Sequence, residues 1–204
     1  MRFTIGSLAE LPDASLEALD DYRHGVFVER LGWQLQTPAH RERDDFDRLD
    51  TVYVIAHGKH GRVVGCARLL PTTRPYLLSH VFPQLLDGLE PPCSSRVWEL
   101  SRFASLDLEN DGRGGLGFQS SPEAVALLRA AIRCAHELGA TALITVSPVG
   151  VERLLRNAGF EAERLGVPRQ VGEHRLFACR IAVRELSGSA TAQIARVKAE
   201  ASLP

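Results

Sequence analysis

A long apolar stripe followed at once by a buried strand is the pattern that most constrains the fold of this chain. Apolar side chains recur every three or four residues over 125–138, and Gly139 follows as a stop signal. Ser120 and Glu123 form a capping box that predicts the start of this helix. Residues 142–146 then indicate a buried strand. Because such a helix needs a sheet to pack against, the pattern predicts an α/β protein.

The other segments extend this pattern to a full domain. Periodicity and turn signals predict helices at 14–31, 77–86 and 149–157 and strands at 51–56, 62–70, 96–104, 160–165 and 176–183. This order predicts a three-layer α/β/α sandwich with a mixed sheet, like that of GCN5-related N-acyltransferases. Other α/β proteins share the order, so it does not establish a function. We expect one domain over 1–186 and a C-terminal tail over 187–204 that frays or forms a peripheral helix.

Charge and composition argue against several classes of protein. The 24 basic and 25 acidic side chains give a net charge of −1, which does not support a nucleic-acid binder. That average hides a net charge of −5 over 1–125 and of +4 over 126–204. No apolar run approaches the ~20 residues of a membrane span. The N-terminus lacks a secretory pattern, so we expect a cytoplasmic protein. The cysteines and histidines lack metal-ligand spacing, so we expect no metal site.

An arginine and two aromatic residues lie near the end of the first predicted helix. Arg23 and Phe27 share a helix face, and Trp33 comes just after the helix. Taken alone, these residues fit a packed helix end with a snorkelling arginine. A functional role requires a ligand that offers a carboxylate to Arg23 and a cationic or flat group to the two rings.

Four carboxylates crowd the short run ERDDFD over 42–47. Such a run ordinarily forms a solvated loop. If Asp44 and Asp47 point inward, however, they offer paired negative charge to an ammonium or sulfonium group. Phe46 is a suitable anchor for a loop of that kind.

The predicted strands carry polar residues where apolar ones are usual. Arg68 follows the apolar run VVGCA, which predicts a buried ion pair with a carboxylate. Strict alternation places Glu99, Ser101 and Phe103 on one face of their strand and Arg102 on the other. Glu99 is then either the buried partner of Arg68 or a general base, and spacing does not separate these roles.

In order and spacing, these clusters resemble the LuxI-type acyl-homoserine-lactone synthases. The order of residues within the motifs most resembles that of the Burkholderia-type synthases. The resemblance rests on RHGVFVERLGW over 23–33, ERDDFD, GCARLLPTTRPYLL over 65–78 and WELSRFA over 98–104. Phe82 with Pro83 belongs to the same set. The match covers roughly the first hundred residues and continues more weakly through 151–159.

The resemblance implies a cytoplasmic acyltransferase that makes a quorum-sensing signal. Such an enzyme transfers an acyl chain from acyl carrier protein to the amine of S-adenosylmethionine, a co-substrate, and closes a lactone with release of methylthioadenosine. No cofactor and no metal are implied. The residues implied to bind S-adenosylmethionine are Arg23, Phe27, Trp33, Asp44, Asp47, Phe82 and Arg102. Those implied in catalysis are Glu99, Arg68 and Ser101, with Arg68 and Glu99 as a buried pair and Glu99 as the base, acting directly or through a water.

The resemblance also implies places for the acyl chain and its carrier. An apolar tunnel is expected at Leu100, Phe103, Leu143, Thr145, Val149 and Leu154, with Leu116, Phe118 and Leu155 beside them. Because a threonine at position 145 tends to accompany chains oxygenated at carbon 3, we expect a 3-oxo or 3-hydroxy chain of medium length ahead of octanoyl. The acidic carrier is expected to dock on four arginines that are otherwise ordinary solvated side chains, Arg129, Arg133, Arg153 and Arg156.

Two other functions stay open at this point. The first is a GCN5-related N-acyltransferase that uses acyl-CoA, although its usual pyrophosphate signature fails because Leu116 stands where glycine is expected after Arg113. The second is a non-catalytic small-molecule sensor that uses the same cleft. A sensor has no evident reason to combine Arg68 and Glu99 with the acidic pair.

Overall fold

The structure is a computed structural model that describes residues 1–35, 37–109 and 121–184, together with the backbone of 194–196. A few of the sequence predictions lie outside these residues. They concern Arg113, Leu116, Phe118, the cap at Ser120 and most of the predicted tail over 187–204.

Nine strands in the described residues form one mixed sheet. They are β1 (Arg2–Ser7), β2 (Val52–His57), β3 (Val63–Pro71), β4 (Val97–Ser105), β5 (Ala142–Pro148), β6 (Ala162–Arg164), β7 (Arg169–Val171), β8 (His174–Ala182) and β9 (Ile194–Arg196). Their order is β6-β8-β5-β4-β3-β2-β1-β9, and β7 pairs with β8. The β4–β5 and β1–β9 pairs are parallel and the other pairs are antiparallel. Three residues of the predicted tail therefore pair with the sheet as β9.

Four α-helices lie in the same described residues. They are α1 (Asp13–Arg23), α2 (Leu77–His80), α3 (Pro122–Glu137) and α4 (Gly150–Asn157). The chain leaves α1 directly into a π-helical segment, His24–Arg30, so the single helix predicted over 14–31 is α-helical only in its first part. Short 3₁₀ turns span Pro38–His40, Lys59–Gly61 and Pro83–Leu86. Within these residues, no helix has both the length and the apolar character that crossing a bilayer requires.

Helices cover both faces of the sheet. Because strand side chains alternate, Val54 of β2 packs toward α3 and α4, whereas Ile55 packs toward α1. The cluster beneath α3 and α4 includes Leu128 and Leu155. A third cluster beneath α2 includes Leu70 of β3. The predicted three-layer α/β/α sandwich is therefore confirmed.

The ends of α3 show how local sequence sets a helix. The hydroxyl of Ser121 accepts the backbone N–H of Ala124 at 3.0 Å, so Ser121 is the N-cap, one residue after the predicted Ser120. Gly139 follows the helix with a φ of +83°, a conformation that glycine adopts without strain.

The centre of the sheet opens where β4 and β5 diverge. Their parallel pairing covers only Val97–Glu99 and Ala142–Ile144. Beyond that point β4 continues to Ser105 and β5 to Pro148 without pairing to each other. The two central strands therefore separate from each other beyond Glu99 and Ile144.

A β-bulge at Arg102 reverses the side-chain alternation along β4. The φ of Arg102 is +46°, and the register with β3 shifts between Cys66 and Arg68. Ser101 and Arg102 therefore both lie on the α1 side of the sheet, while Phe103 packs with the α3 cluster. The alternation predicted for Arg102 and Phe103 was wrong because the bulge adds one residue to the strand.

Candidate active site

Three arginines and three carboxylates meet on the α1 face of the sheet and form a buried ion network. Arg23 ends α1, Arg68 lies on β3 and Arg102 lies on β4. The carboxylates come from the acidic loop over 41–50, and they are Glu42, Asp44 and Asp47. The acidic run is therefore directed inward at these three positions, while Asp45 is exposed.

The Arg23 end of the ion network is closed to solvent. Arg23 Nη1 and Nη2 donate to the two carboxylate oxygens of Asp47, each at 2.9 Å, and Nε donates to Glu42 Oε2 at 2.5 Å. The side chains of Arg23 and Asp47 are only 1% and 0% exposed. The hydroxyl of Tyr53 also donates to Asp47 Oδ1, at 2.6 Å. Each side-chain nitrogen of Arg23 is thus bonded to a carboxylate that belongs to the protein.

Arg68 connects the ion network to β4. Its Nη1 donates to Asp44 Oδ1 at 2.6 Å and to Asp47 Oδ1 at 2.9 Å, and its Nε donates to Ser101 Oγ at 3.0 Å. The predicted buried pair of Arg68 with Glu99 is therefore not formed, because the loop aspartates reach Arg68 instead. Since Ser101 Oγ accepts this bond, its own hydroxyl hydrogen points away from Arg68.

Arg102 connects the ion network to the aromatic pair of Phe27 and Trp33. Its Nη2 donates to Glu42 Oε1 at 2.9 Å and to Asp44 Oδ2 at 2.8 Å. Its guanidinium carbon lies 5.5 Å from the ring centre of Phe27 and 5.4 Å from that of Trp33, which are cation–π distances. The Asp44 side chain is 22% exposed, the most of the three carboxylates, and Trp33 is half-buried. The ion network therefore meets solvent beside Asp44 and Trp33.

Burial and ion pairing act in opposite directions on the carboxylates of the ion network. Burial raises the pKa of Asp47, but the charges of Arg23 and Arg68 outweigh it and hold that pKa well below its ordinary range. Burial likewise raises the pKa of Glu42, and the guanidinium groups of Arg23 and Arg102 outweigh it. Glu42 and Asp47 therefore remain ionised at neutral pH.

Glu99 lies apart from the ion network and joins β4 to α2. Its Oε1 accepts the backbone N–H of Leu78 at 2.7 Å, and its Oε2 accepts that of Leu77 at 2.9 Å. Glu99 is 1% exposed. Burial raises the pKa of its carboxyl to about 7, although the two N–H groups and the charges of Arg68 and Arg102 act to lower it. A carboxyl that exchanges its proton near neutral pH is suited to general-base work.

Phe82 lies near α2 rather than beside the aromatic pair. It is half-buried and packs, together with Phe46, against the apolar cluster that contains Leu78 and Leu85. The residues predicted to bind one substrate are therefore divided between the ion network and the surroundings of Glu99.

An apolar pocket opens on the α3 face, where β4 and β5 diverge. Its lining residues are Leu100, Phe103, Leu128, Thr145, Ser147, Val151, Leu154, Leu155 and Ile181. This lining includes Leu100, Phe103, Thr145 and Leu154, which were predicted for the acyl chain. Leu143 and Val149 are not part of it: Leu143 is fully buried where β5 pairs with β4, and Val149 stands just before α4.

Two hydroxyl groups share this otherwise apolar pocket. Thr145 Oγ1 and Ser147 Oγ lie 3.1 Å apart, and the two residues are 3% and 8% exposed. They are two positions apart on β5 and so project from one face of the strand. Ser147 was not predicted from the sequence, although its spacing from Thr145 was a usable signal.

The predicted docking arginines lie on α3 and α4, on the pocket side of the sheet. Arg129, Arg153 and Arg156 are exposed, and Arg133 is half-buried. The guanidinium carbon of Arg129 lies 5.5 Å from the ring centre of Phe160, which follows α4. The two helices are therefore neighbours at this surface.

Comparisons with known proteins agree with this arrangement. The family model described as Autoinducer synthase matches residues 7–190. An acyl-homoserine-lactone synthase of Acinetobacter nosocomialis is 52% identical over 162 residues, which are 79% of this chain and 88% of the relative. The solved structure of TofI in a ternary complex with an inhibitor and MTA is 42% identical, with a TM-score of 0.78 over 90% of this chain and 92% of that one.

More distant structures share the same fold. BjaI, a CoA-dependent acyl-homoserine lactone synthase solved with SAM and isopentyl-CoA, is 29% identical, with a TM-score of 0.79 over 90% of this chain and 84% of that one. An acyl-CoA N-acyltransferase from Pseudomonas aeruginosa, 20% identical with a TM-score of 0.59 over 88% and 98%, shows the fold alone.

The fold is the α/β sandwich that acyl-homoserine-lactone synthases share with GCN5-like N-acyltransferases. The family match over most of the chain and the identity to curated relatives narrow this class further. The chain belongs to the autoinducer synthase family, the LuxI-type acyl-homoserine-lactone synthases that make quorum-sensing signals. The family predicted from the sequence is thereby confirmed.

Proposed function

We propose that this synthase transfers the acyl group of an acyl-carrier-protein thioester to the amine of S-adenosylmethionine and then closes the lactone, with release of methylthioadenosine. The observation that carries the proposal is the opening between β4 and β5. The ion network and Glu99 lie on one face of the sheet beside it, and the apolar pocket lies on the other face. The solved relatives with SAM or MTA support the choice of amine substrate.

The exposed end of the ion network suits the charges of S-adenosylmethionine. Asp44 offers negative charge to its ammonium or sulfonium group, and the half-buried Trp33 ring, which packs on the buried Phe27, adds cation–π attraction. Arg102, which lies beside the same rings, is the better placed partner for the substrate carboxylate. Arg23 is instead a positioning residue, because its three nitrogens already hold Glu42 and Asp47.

Glu99 is the base of the first step. The ammonium group of the substrate must lose a proton before its nitrogen attacks the thioester carbonyl. A carboxyl with a pKa of about 7 accepts that proton, directly or through a water. The nitrogen–carbon bond then forms, and the oxyanion expels the carrier thiolate, which takes up the second proton that the nitrogen loses as the amide is completed. The hydroxyl of Ser101, whose oxygen already accepts a bond from Arg68, is suited to donate to the oxyanion.

The second step depends on geometry. The methionyl carboxylate attacks its own γ-carbon, the carbon–sulfur bond breaks, and methylthioadenosine leaves as a neutral thioether. An intramolecular displacement of this kind requires a folded-back substrate. Since both steps are nucleophilic substitutions without oxidation or reduction, we propose S-adenosylmethionine as a co-substrate with no cofactor, and we propose that the reaction takes place in the cytoplasm.

The experiment that tests this proposal supplies the purified protein with S-adenosylmethionine and a panel of acyl-carrier and acyl-CoA thioesters. Mass spectrometry should detect lactone and methylthioadenosine in equal amounts, with the carrier thioester as the preferred donor. Preference for acyl-CoA would contradict the proposal that acyl carrier protein is the donor, but it would not contradict the proposed reaction. The donor would then be of the kind that the CoA-dependent relative uses. Absence of methylthioadenosine with every donor would contradict the reaction itself.

If the acidic carrier docks on the arginines of α3 and α4, removing their charge should weaken its binding. Replacing the exposed Arg129, Arg153 and Arg156 by glutamine should raise the KM for the carrier thioester on the order of tenfold at low salt, because steering by opposite charge is lost. The difference from the unmodified protein should shrink as salt is added. Steady-state kinetics across a salt series measures both effects.

A matched control removes equal charge elsewhere. It replaces three exposed side chains that lie outside α3 and α4, Arg2, Lys59 and Arg74. Its KM should stay close to that of the unmodified protein. An equal KM increase in the control and in the α3–α4 variant would contradict a localised docking surface.

The hydroxyl pair predicts the chemistry of the acyl chain. Thr145→Ala should lower kcat/KM for a 3-oxo chain relative to an unsubstituted chain by about two- to tenfold, because a buried hydrogen bond to the chain is lost. Thr145→Ser keeps the hydroxyl and should retain most of the preference. Competition between the two thioesters, with product ratios read by mass spectrometry, is the measurement. An unchanged ratio in Thr145→Ala would remove Thr145 from chain selection.

A further inference from the structure

Two histidines and a glutamate converge beside the acidic loop, outside the ion network. His24 Nε2 lies 3.2 Å from His40 Nδ1 and 3.5 Å from Glu29 Oε1. The three atoms lie within 4.8 Å of one another. His24 is 8% exposed, whereas Glu29 and His40 reach the surface. None of these residues has a part in the proposed reaction.

The local backbone is what brings the three side chains together. In an α-helix, residues five apart point about 140° away from each other. The π-helical segment His24–Arg30 has wider turns and places Glu29 beneath His24. The backbone that positions His40 has two consecutive residues in the left-handed region, with a φ of +54° at Ala39 and of +58° at His40 itself. Such conformations are costly for residues other than glycine and concentrate at functional sites.

We propose that His24, Glu29 and His40 form a binding site for a divalent transition-metal ion, with Zn²⁺ as the best match. Tetrahedral Zn²⁺ with bonds of about 2.0–2.1 Å holds its ligand atoms about 3.3–3.4 Å apart. The separations of 3.2 Å and 3.5 Å from His24 Nε2 lie on either side of that value. Two imidazoles and a carboxylate form a donor set that Zn²⁺ prefers, and the exposed side leaves the fourth position to a water.

The His24 ring presents its polar contacts on one edge. Its Nδ1 is buried and has no hydrogen-bond partner, so the polar contacts of the ring lie on the Nε2 edge, where His40 and Glu29 meet. Without an ion, one ring donates its N–H to the nitrogen of the other. The alternative to a metal site is therefore a simple histidine–histidine hydrogen bond, which the experiment below separates from it.

A bound ion would fasten the acidic loop to the end of α1. His24 follows Arg23 directly, and His40 comes two residues before Glu42, so the site brackets the Arg23–Glu42 ion pair. Binding itself is independent of the proposed substrates and can be measured without them. A failure of the metal site is therefore distinguishable from a failure of the proposed reaction.

The test uses the full chain, freed of metal with a chelator and then titrated with Co²⁺. A tetrahedral site produces intense visible absorption that saturates at one equivalent, and added Zn²⁺ should abolish it by displacement. His40→Ala and Glu29→Gln should each weaken Zn²⁺ binding by at least about tenfold, the loss that even an outer-shell partner of a metal site causes. Competition with a chromophoric chelator gives the affinities.

Two control variants address other metal-binding side chains. His174→Ala removes an exposed histidine on β8, and Cys93→Ser removes the exposed thiol. Both should bind Zn²⁺ as the unmodified protein does. Unchanged affinity in His40→Ala, or absorption that never saturates, would overturn the proposal and leave the histidine–histidine hydrogen bond as the explanation of the cluster.

Discussion

Replacing Glu99 by glutamine is expected to lower kcat for lactone formation by about a hundredfold to ten-thousandfold, the usual contribution of a positioned base. An amide cannot take the proton of the substrate ammonium. Its oxygen still accepts one of the backbone N–H groups of Leu77 and Leu78, whereas its NH2 group faces the other, so circular dichroism should first establish that the variant is folded. Because the ion network is untouched, the KM for S-adenosylmethionine should change much less than kcat.

The pH profile separates a base from a merely structural carboxyl. Burial raises the pKa of Glu99 to about 7, so the accepting ionised form accumulates as the pH rises through that value. In the unmodified protein, kcat should therefore increase with pH and level off above about 7. This rise of kcat with pH should disappear in Glu99→Gln. A matched control, Glu163→Gln on the exposed strand β6, should keep both the rate and the profile. If kcat of Glu99→Gln still rose with pH in the same way, the proposal that Glu99 is the general base would be contradicted.

The second large effect is on stability. Asp47→Ala should lower the free energy of unfolding by about 3–5 kcal/mol, because removing one partner leaves buried charges without compensation. Asp47 bonds to Arg23, Arg68 and the hydroxyl of Tyr53, and its side chain is 0% exposed. Urea unfolding followed by circular dichroism measures the loss.

A neighbouring residue provides the matched control. Asp45 is exposed in the same loop, so Asp45→Ala should change the free energy of unfolding by no more than about 0.5 kcal/mol. Equal losses in the two variants would show that any change in the loop destabilises the protein. The ion network would then not be what anchors the loop.

Local patterns predicted much of the fold. The apolar stripe of α3 and the hairpin of β2 and β3 are set by neighbouring residues, and both occur where they were predicted. The strands β1, β7 and β9 were missed. β7 has three residues, and β1 follows the first methionine without a preceding turn signal. The π-helical segment was predicted as ordinary helix because its residues have no distinctive periodicity.

The active site was predicted as a set of residues rather than as a set of contacts. Family resemblance selected Arg23, Arg68 and Arg102, and the structure brings all three together. Their partners were not predictable, because they depend on the path of the acidic loop and on the bulge at Arg102. The pair of Arg68 with Glu99 that the resemblance implied is therefore not formed, because the loop supplies Asp44 and Asp47 instead.

The central claim is that two substrates approach the opening between β4 and β5 from opposite faces of the sheet. The most direct measurement is a crystal structure of the protein with methylthioadenosine and a non-hydrolysable acyl thioester. We expect the nucleoside beside Phe27 and Trp33, and the acyl chain between Thr145 and Leu154, with its carbonyl at the opening near Glu99. Both ligands on one face of the sheet, or a nucleoside remote from the aromatic pair, would contradict the account.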